Sequence, residues 1–263
     1  MSKATSCNAS LVPGATMEPQ PVLRAKRTFA LHIPVLMYHR IVPYADATGS
    51  LRGLIVPPSV FAGQLDALQR SGWHTITAAQ LADDLAAGIT PTPKTFVLTI
   101  DDGWGDGYTY AMPILAAHGF VGTFYVIAGR IDSGSFLTSA QLRDLVAAGD
   151  EIGDHTMDHV ALEHQGPTRL AYEIDAAAAT IASATGQWPT TLAYPTGSFD
   201  MTTEHAVQAC APMKMAVIEG QATYETWSTR FQIPRLKVTA DMTPGALLAV
   251  MTNPPLPPIA KSK

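Results

Sequence analysis

The sequence predicts an α/β fold whose parallel strands close, or nearly close, into a barrel wrapped by helices. Three observations carry this. Short apolar runs bounded by turn residues alternate with amphipathic segments, seven or eight such pairs can be drawn, and all fit within one chain of 263 residues. Runs that are apolar throughout belong to strands covered on both faces, the condition of a parallel sheet. With this many units in one chain, a barrel is favoured over an open sheet. The length suits one large domain with a buried core and does not demand two.

Strands are expected over residues 33–38, 73–76, 95–100, 123–127, 151–153, 191–194 and 215–218, with a further candidate over 231–238. Helices fall between them. One starts at Ser59, with Phe61, Leu65 and Leu68 on one face and Gly72 as its stop. A second starts at Thr77, carries Leu81 and Leu85, and stops at Gly88. A third starts at Thr138, carries Leu142, Leu145 and Val146, and stops at Gly149. Each start offers a hydroxyl to an unpaired first-turn N–H, and each stop offers a residue at ease in the left-handed turn. Residues 1–28 are rich in Ser, Ala, Pro and Gly without periodicity and are expected to form a flexible arm. The barrel domain then spans 29–252, and 253–263 form a Pro-rich tail.

A net charge of −5 with no basic cluster excludes a nucleic-acid partner, because phosphate binding needs a cationic face. No run reaches the roughly 20 apolar residues of a membrane-spanning helix. The stretch 29–38 follows Arg24, Lys26 and Arg27 as the core of a signal peptide would. It contains His32 and Pro34, however, and leads into His39-Arg40, not a small-residue cleavage site. It reads as a buried strand, and no signal peptide is visible in this chain. Cys7 and Cys210 are too few for a zinc ribbon or a disulfide framework, and whether they pair stays open.

Chemistry is expected at the C-terminal ends of barrel strands. The strand over 95–100 runs straight into Asp101-Asp102-Gly103. Two adjacent carboxylates at a buried strand end are costly unless a cation or donors compensate them, and a helix cap would need only one. Another short strand ends in Asp154-His155-Thr156-Met157-Asp158-His159. Histidines four apart share a face if the segment is helical, and two imidazoles with one carboxylate make a three-ligand site with open positions. Such a site suits zinc or a similar divalent ion that activates water. Tyr194-Pro195-Thr196-Gly197 is either a plain turn or a backbone N–H, that of Thr196, aimed at a developing oxyanion. Trp104 and Tyr108 are candidates to line a sugar subsite, where aromatic faces suit carbohydrate rings. His32, His74, His118, His164 and His205 lack a partner pattern and read as surface or satisfied groups.

Three blocks, 99–103 (TIDDG), 122–126 (GTFYV) and 151–159 (EIGDHTMDH), closely resemble the polysaccharide deacetylase family, the fourth family of carbohydrate esterases. The resemblance covers about residues 33–238. It implies a distorted (β/α)7-type barrel with an Asp-His-His metal site, in which Asp101 is the base and Asp102, His155 and His159 are ligands. It implies a divalent metal, zinc first with cobalt or nickel as substitutes. It also implies an acetylated polysaccharide or oligosaccharide as substrate and a secreted, periplasmic or cell-envelope location.

Two departures stand out. The family's third motif carries an Arg and an aromatic after Pro, whereas Leu192-Ala193-Tyr194-Pro195-Thr196 has neither. The late Leu-x-His that supplies a general acid is absent, since no His follows His205. The segment 33–39 (IPVLMYH) instead resembles the first strand of the poly-N-acetylglucosamine deacetylase branch, whose barrel is circularly permuted and whose early His replaces the late one. That assigns the acid to His39. The segment 233–238 (IPRLKV) matches the same branch and offers Arg235 for the missing charge partner. The expectation is a metal-dependent hydrolase that removes acetyl groups from a polysaccharide, most of all N-acetyl groups of an N-acetylglucosamine polymer. The alternatives are O-acetyl esterase action on xylan and a catalytically silent carbohydrate-binding barrel.

Overall fold

The structure, a computed structural model, describes residues 29–46, 49–210, 212–220, 223 and 225–253. The expected arm over 1–28 and all of the expected tail after Asn253 lie outside the described residues. So does Cys7, whereas Cys210 is buried and disulfide-bonded. No helix among the described residues is long and apolar enough to cross a membrane.

The strands in chain order are β1 (Ala30–Leu31), β2 (Val35–Tyr38), β3 (His74–Ile76), β4 (Thr95–Ile100), β5 (Thr123–Val126), β6 (Glu151–Asp154), β7 (Thr191–Ala193), β8 (Met215–Gly220), β9 (Glu225–Thr226) and β10 (Ile233–Lys237). The helices are α1 (Pro58–Arg70), α2 (Ala78–Ala87), α3 (Met112–Ala117), α4 (Ser139–Ala147), α5 (Pro167–Leu170), α6 (Ala177–Thr185), α7 (Met201–Ala209) and α8 (Pro244–Thr252). Seven strands close a parallel ring in the order β2-β10-β8-β7-β6-β5-β4, with β4 pairing back onto β2. The expected barrel is therefore present and closed. The early strand β2 lies between the late strand β10 and β4, as a barrel closed by joining the two ends of the chain requires. Of the seven expected strands, the one over 73–76, β3, pairs only with β4 and stays outside the ring, whereas the further candidate over 231–238 supplies the ring strand β10. β1 and β9 form a separate antiparallel pair.

Leaving β3 out of the ring has a packing consequence. The next helix, α2, packs Ala78, Leu81, Ala82 and Leu85 against Val35, Val97, Tyr125, Met215, Val217 and Ile233, which come from strands all around the ring. It therefore plugs the lower mouth of the barrel. Along β4 the alternate residues Phe96, Leu98 and Ile100 pack outward with helices α1, α3 and α4. Val97 faces the lumen, and the period of two carries Thr99 and then Asp101 inward above it. On β10 the same alternation follows Ile233 with Arg235. Tyr125 fills the lumen below, and Gly153 is what makes room for it, because a Cβ there would stand 2.5 Å from the tyrosine ring.

The expected helix ends are partly revised. Thr77 and Thr138 cap α2 and α4, the latter in a reciprocal box with Gln141. Helix α1 begins one residue before Ser59: Pro58 occupies the first turn, where its missing N–H costs nothing. The segment after the aspartate pair enters α3 through a wider π-type turn over Gly107–Ala111.

Candidate metal centre and active site

At the upper mouth, Asp101 follows β4 and donates its N–H to the Tyr38 carbonyl at the end of β2. Ile100 is in register with Tyr38, so closure of the ring sets His39 and Asp101 side by side in the chain beyond that pair. Asp102 and Gly103 both take left-handed backbone, at φ 75° and 74°. Gly103 is needed there twice over, since a Cβ would also press within 3.0 Å of Val126. This double turn swings the two neighbouring carboxylates to different tasks.

Asp101 is buried and bound by both ends of the Arg235 guanidinium, at 2.6 and 2.7 Å. Arg235 also donates to Thr99 Oγ1 at 3.0 Å and lies over the Tyr125 ring. Burial pushes the Asp101 carboxyl up, but Arg235, with His155 and His39, outweighs it and holds the group below the usual carboxylate range.

Asp102 points its Oδ1 at two imidazoles, 3.6 Å from His155 Nε2 and 3.6 Å from His159 Nε2. One ligand atom from each of the three lies within 4.8 Å of the others. Donors about 2.0–2.2 Å from a shared tetrahedral ion stand about 3.4 Å apart, so the spacing fits a divalent metal. The tautomer fits as well. His155 Nδ1 is 2.8 Å from the Ala193 carbonyl, which can only accept, so the proton sits on Nδ1 and the Nε2 lone pair faces the site. Burial alone would lower the His155 pKa, but its contact with Asp102 and the charge of Asp101 raise it. For His159 burial prevails and, with the neighbouring His155, lowers the pKa. Burial likewise lowers that of His39, against the pull of Asp101 and Asp102.

The histidines do not share a helix face, as a helical 155–159 would have them do. The segment is a loop in which Thr156 and His159 are left-handed. It is held by Asp154, which accepts from Thr156 N–H at 2.7 Å, and by Glu173, which accepts from Met157 and Asp158 N–H at 3.0 Å each. These side chains take over the backbone bonding a helix would have supplied. Glu173, on a π-type turn over Ala171–Ala176, had no signal in the sequence.

A cavity of about 210 Å³ joins His39, Asp101, Asp102, His155, His159 and Thr196. Arg235, Glu219 and Lys237 also line it. Thr196 is a left-handed non-glycine residue at φ 58°, strained backbone of the kind found at working sites. Pro195 is buried and shapes the turn. Tyr194 lines the cavity, but its ring is 1 % exposed and stacked on Phe199 at 4.8 Å. The expected sugar-platform residue Trp104 has neighbours on its ring. Phe136 stacks on its indole at 4.2 Å and the Arg40 guanidinium lies 4.2 Å from the ring centre. Tyr108 is turned to Asp144, at 3.0 Å.

The polysaccharide deacetylase family model matches residues 88–215, a span that holds Asp101, Asp102, His155 and His159. YxkH of Bacillus subtilis (strain 168), a protein named as a polysaccharide deacetylase, is 27 % identical over 221 residues, covering 84 % of this chain and 76 % of its own. Among solved structures, the Streptococcus pyogenes deacetylase PplD in complex with acetate superposes with a TM-score of 0.76 at 28 % identity, covering 84 % of this chain and 98 % of that one. IcaB from Ammonifex degensii gives 0.71 at 25 % identity, covering 84 % and 97 %. A closed seven-stranded barrel with an Asp-His-His cluster over its upper mouth and these relatives agree: residues 88–215 match the polysaccharide deacetylase family, and the chain as a whole is similar to proteins named as deacetylases.

Proposed function

We propose that the protein is a metal-dependent N-deacetylase of an N-acetylglucosamine polymer. The observation that carries the reading is the convergence of Asp102, His155 and His159 beside an Asp101 already neutralised by Arg235, all around one cavity. The preference for N-acetylglucosamine rests on the segments 33–39 and 233–238, which resemble the branch of that specificity. The acetate held by PplD, a relative at 28 % identity, is in keeping with deacetylation here.

Asp102, His155 and His159 would hold a divalent ion, zinc by ligand type with cobalt or nickel as substitutes. When bound, it supplies a Lewis acid for the acyl oxygen and activates water at neutral pH. Asp101 is kept ionised by Arg235 and takes the proton of the attacking water. The Thr196 N–H donates to the oxyanion that develops on the acyl carbon. His39 gives its proton to the departing amine. Its lowered pKa makes the imidazolium a stronger acid, available only while protonated. The disulfide-bonded Cys210 supports an extracytoplasmic or cell-envelope location, where such bonds persist.

The test is acetate release, measured in parallel on acetylated glucosamine oligomers, chitin oligomers, peptidoglycan and acetylxylan, before and after chelation and metal return. Metal-restored release from the glucosamine oligomers is expected. Release from acetylxylan alone would make the protein an O-acetyl esterase, and release from none a silent binding barrel.

A further inference from the structure

We infer that Trp104 is a positioning residue for Asp102, seated in an Arg40–Trp104–Phe136 stack that ties the metal loop to the strand end carrying His39. The inference rests on the metal-site reading above.

The two oxygens of Asp102 have different neighbours. Oδ1 faces both imidazoles, while Oδ2 accepts the Trp104 indole N–H at 3.2 Å. The last torsion of an aspartate is broad and two-fold, so an unheld carboxylate can exchange its oxygens. An indole N–H only donates and does not titrate, so it keeps Oδ2 engaged and leaves Oδ1 to the imidazole side at any working pH.

The donor is itself immobilised. Phe136 stacks on the indole with its ring 22° from parallel, and the Trp104 and Phe136 backbones form an antiparallel bridge. Gly105 N–H reaches Ser135 O at 2.7 Å, an approach a side chain would block, since a Cβ would stand 2.9 Å from that oxygen. On the indole lies Arg40, a cation–π contact, and Arg40 is fixed by a partly buried ion pair with Asp106. Asp106 also accepts the Ile41 N–H at 2.9 Å, so it grips the chain next to His39. One stack thus sets the orientation of a ligand carboxylate and the exit of the strand bearing the proposed acid.

The experiment measures Co2+ affinity and the visible absorption spectrum of bound Co2+ on the full chain. Trp104→Phe keeps a ring in the stack and removes the N–H. A 10- to 100-fold weaker Co2+ affinity and an altered spectrum are expected, the usual effect of losing a partner behind a metal ligand. Affinity and spectrum equal to wild type would overturn the inference, and so would a lowered Tm with unchanged Co2+ binding, which would make Trp104 packing alone. Arg40→Met unseats the indole without touching its N–H and gives a second arm should Trp104→Phe not fold. A severalfold weaker affinity is expected there, and wild-type binding would overturn the role of the stack. Failure of wild-type protein to bind Co2+ would instead strike the metal-site reading itself.

Discussion

The two mouths of the barrel hold carboxylates in opposite conditions. At the lower mouth, Glu151 accepts from the Ala79 N–H at 2.8 Å, the Thr123 hydroxyl at 2.9 Å and the Thr191 hydroxyl, joining α2, β5 and β7. At the upper mouth, Asp102 meets one donor among the described residues, Trp104, and turns its other oxygen to two imidazoles. The lower cavity is the larger, about 310 Å³ against about 210 Å³. Three of the seven left-handed non-glycine residues among the described ones, Asp102, His159 and Thr196, line the smaller one. Cavity size therefore does not mark the working end. What marks it is unengaged donor atoms on strained backbone, while at the other end the hydrogen bonds of the carboxylate are absorbed in holding the fold.

The strongest way to break this contrast is at the aspartate pair. Asp101→Asn should lower kcat by about 10²- to 10⁴-fold, the worth of a positioned base, with metal content nearly unchanged. Asp102→Asn should empty the site, as metal analysis of the purified protein would show. Equal metal loss in both would end the division of roles. His39→Ala comes next, with a kcat loss of about 10²-fold and metal retained. Because His39 acts only while protonated, its loss should also flatten the alkaline limb of the pH–rate profile; an unchanged limb assigns the acid elsewhere.

The lower mouth predicts effects on stability and none on chemistry. Glu151→Ala strands an N–H and two hydroxyls, so urea denaturation should show a loss of about 2–3 kcal/mol while kcat of the folded protein holds. A fall in kcat without a fall in stability would erase the distinction between the mouths. The smallest effect belongs to Asp150, whose carboxyl is pushed up to about 6 by burial, against the N–H of Gly122 that it accepts. A carboxyl raised on folding binds its proton more tightly in the native state, so native stability falls as pH climbs from about 4 through about 6. Asp150→Asn should therefore raise Tm at pH 8 by the equivalent of about 1–2 kcal/mol, with the gain gone near pH 4. A gain that does not vary with pH would mean that ionisation is not its cause.

Much of the barrel was legible along the chain. Apolar runs such as 95–100 sit buried on both faces, and a closed parallel ring imposes that burial on strands wherever it forms. Thr77 and Thr138 were readable as caps because a cap is a local event, settled within one turn. The fate of β3 was not readable: its composition matches a ring strand, but β2 pairs along β4 from Val97 to Ile100 and leaves β3 only Thr95–Val97. The 155–159 segment misled because a spacing of four also describes a loop, and the groups that bend it, Glu173 among them, arrive from later in the chain.

The sequence by itself determined which groups are present and at which strand ends: two aspartates after one apolar run, two histidines after another, a histidine after the first. Those are local facts, because strand period and turn residues fix them within a few positions. Only the tertiary structure decided how they are used. Ring closure put His39 beside Asp101 and brought Arg235, 134 residues away, into the lumen to bind it. Packing also set Phe136 and Arg40 against the indole of Trp104 and turned its N–H to Asp102, a use that the sequence did not reveal. An indole offers both a ring face and an N–H, and what packs against it decides how each is used.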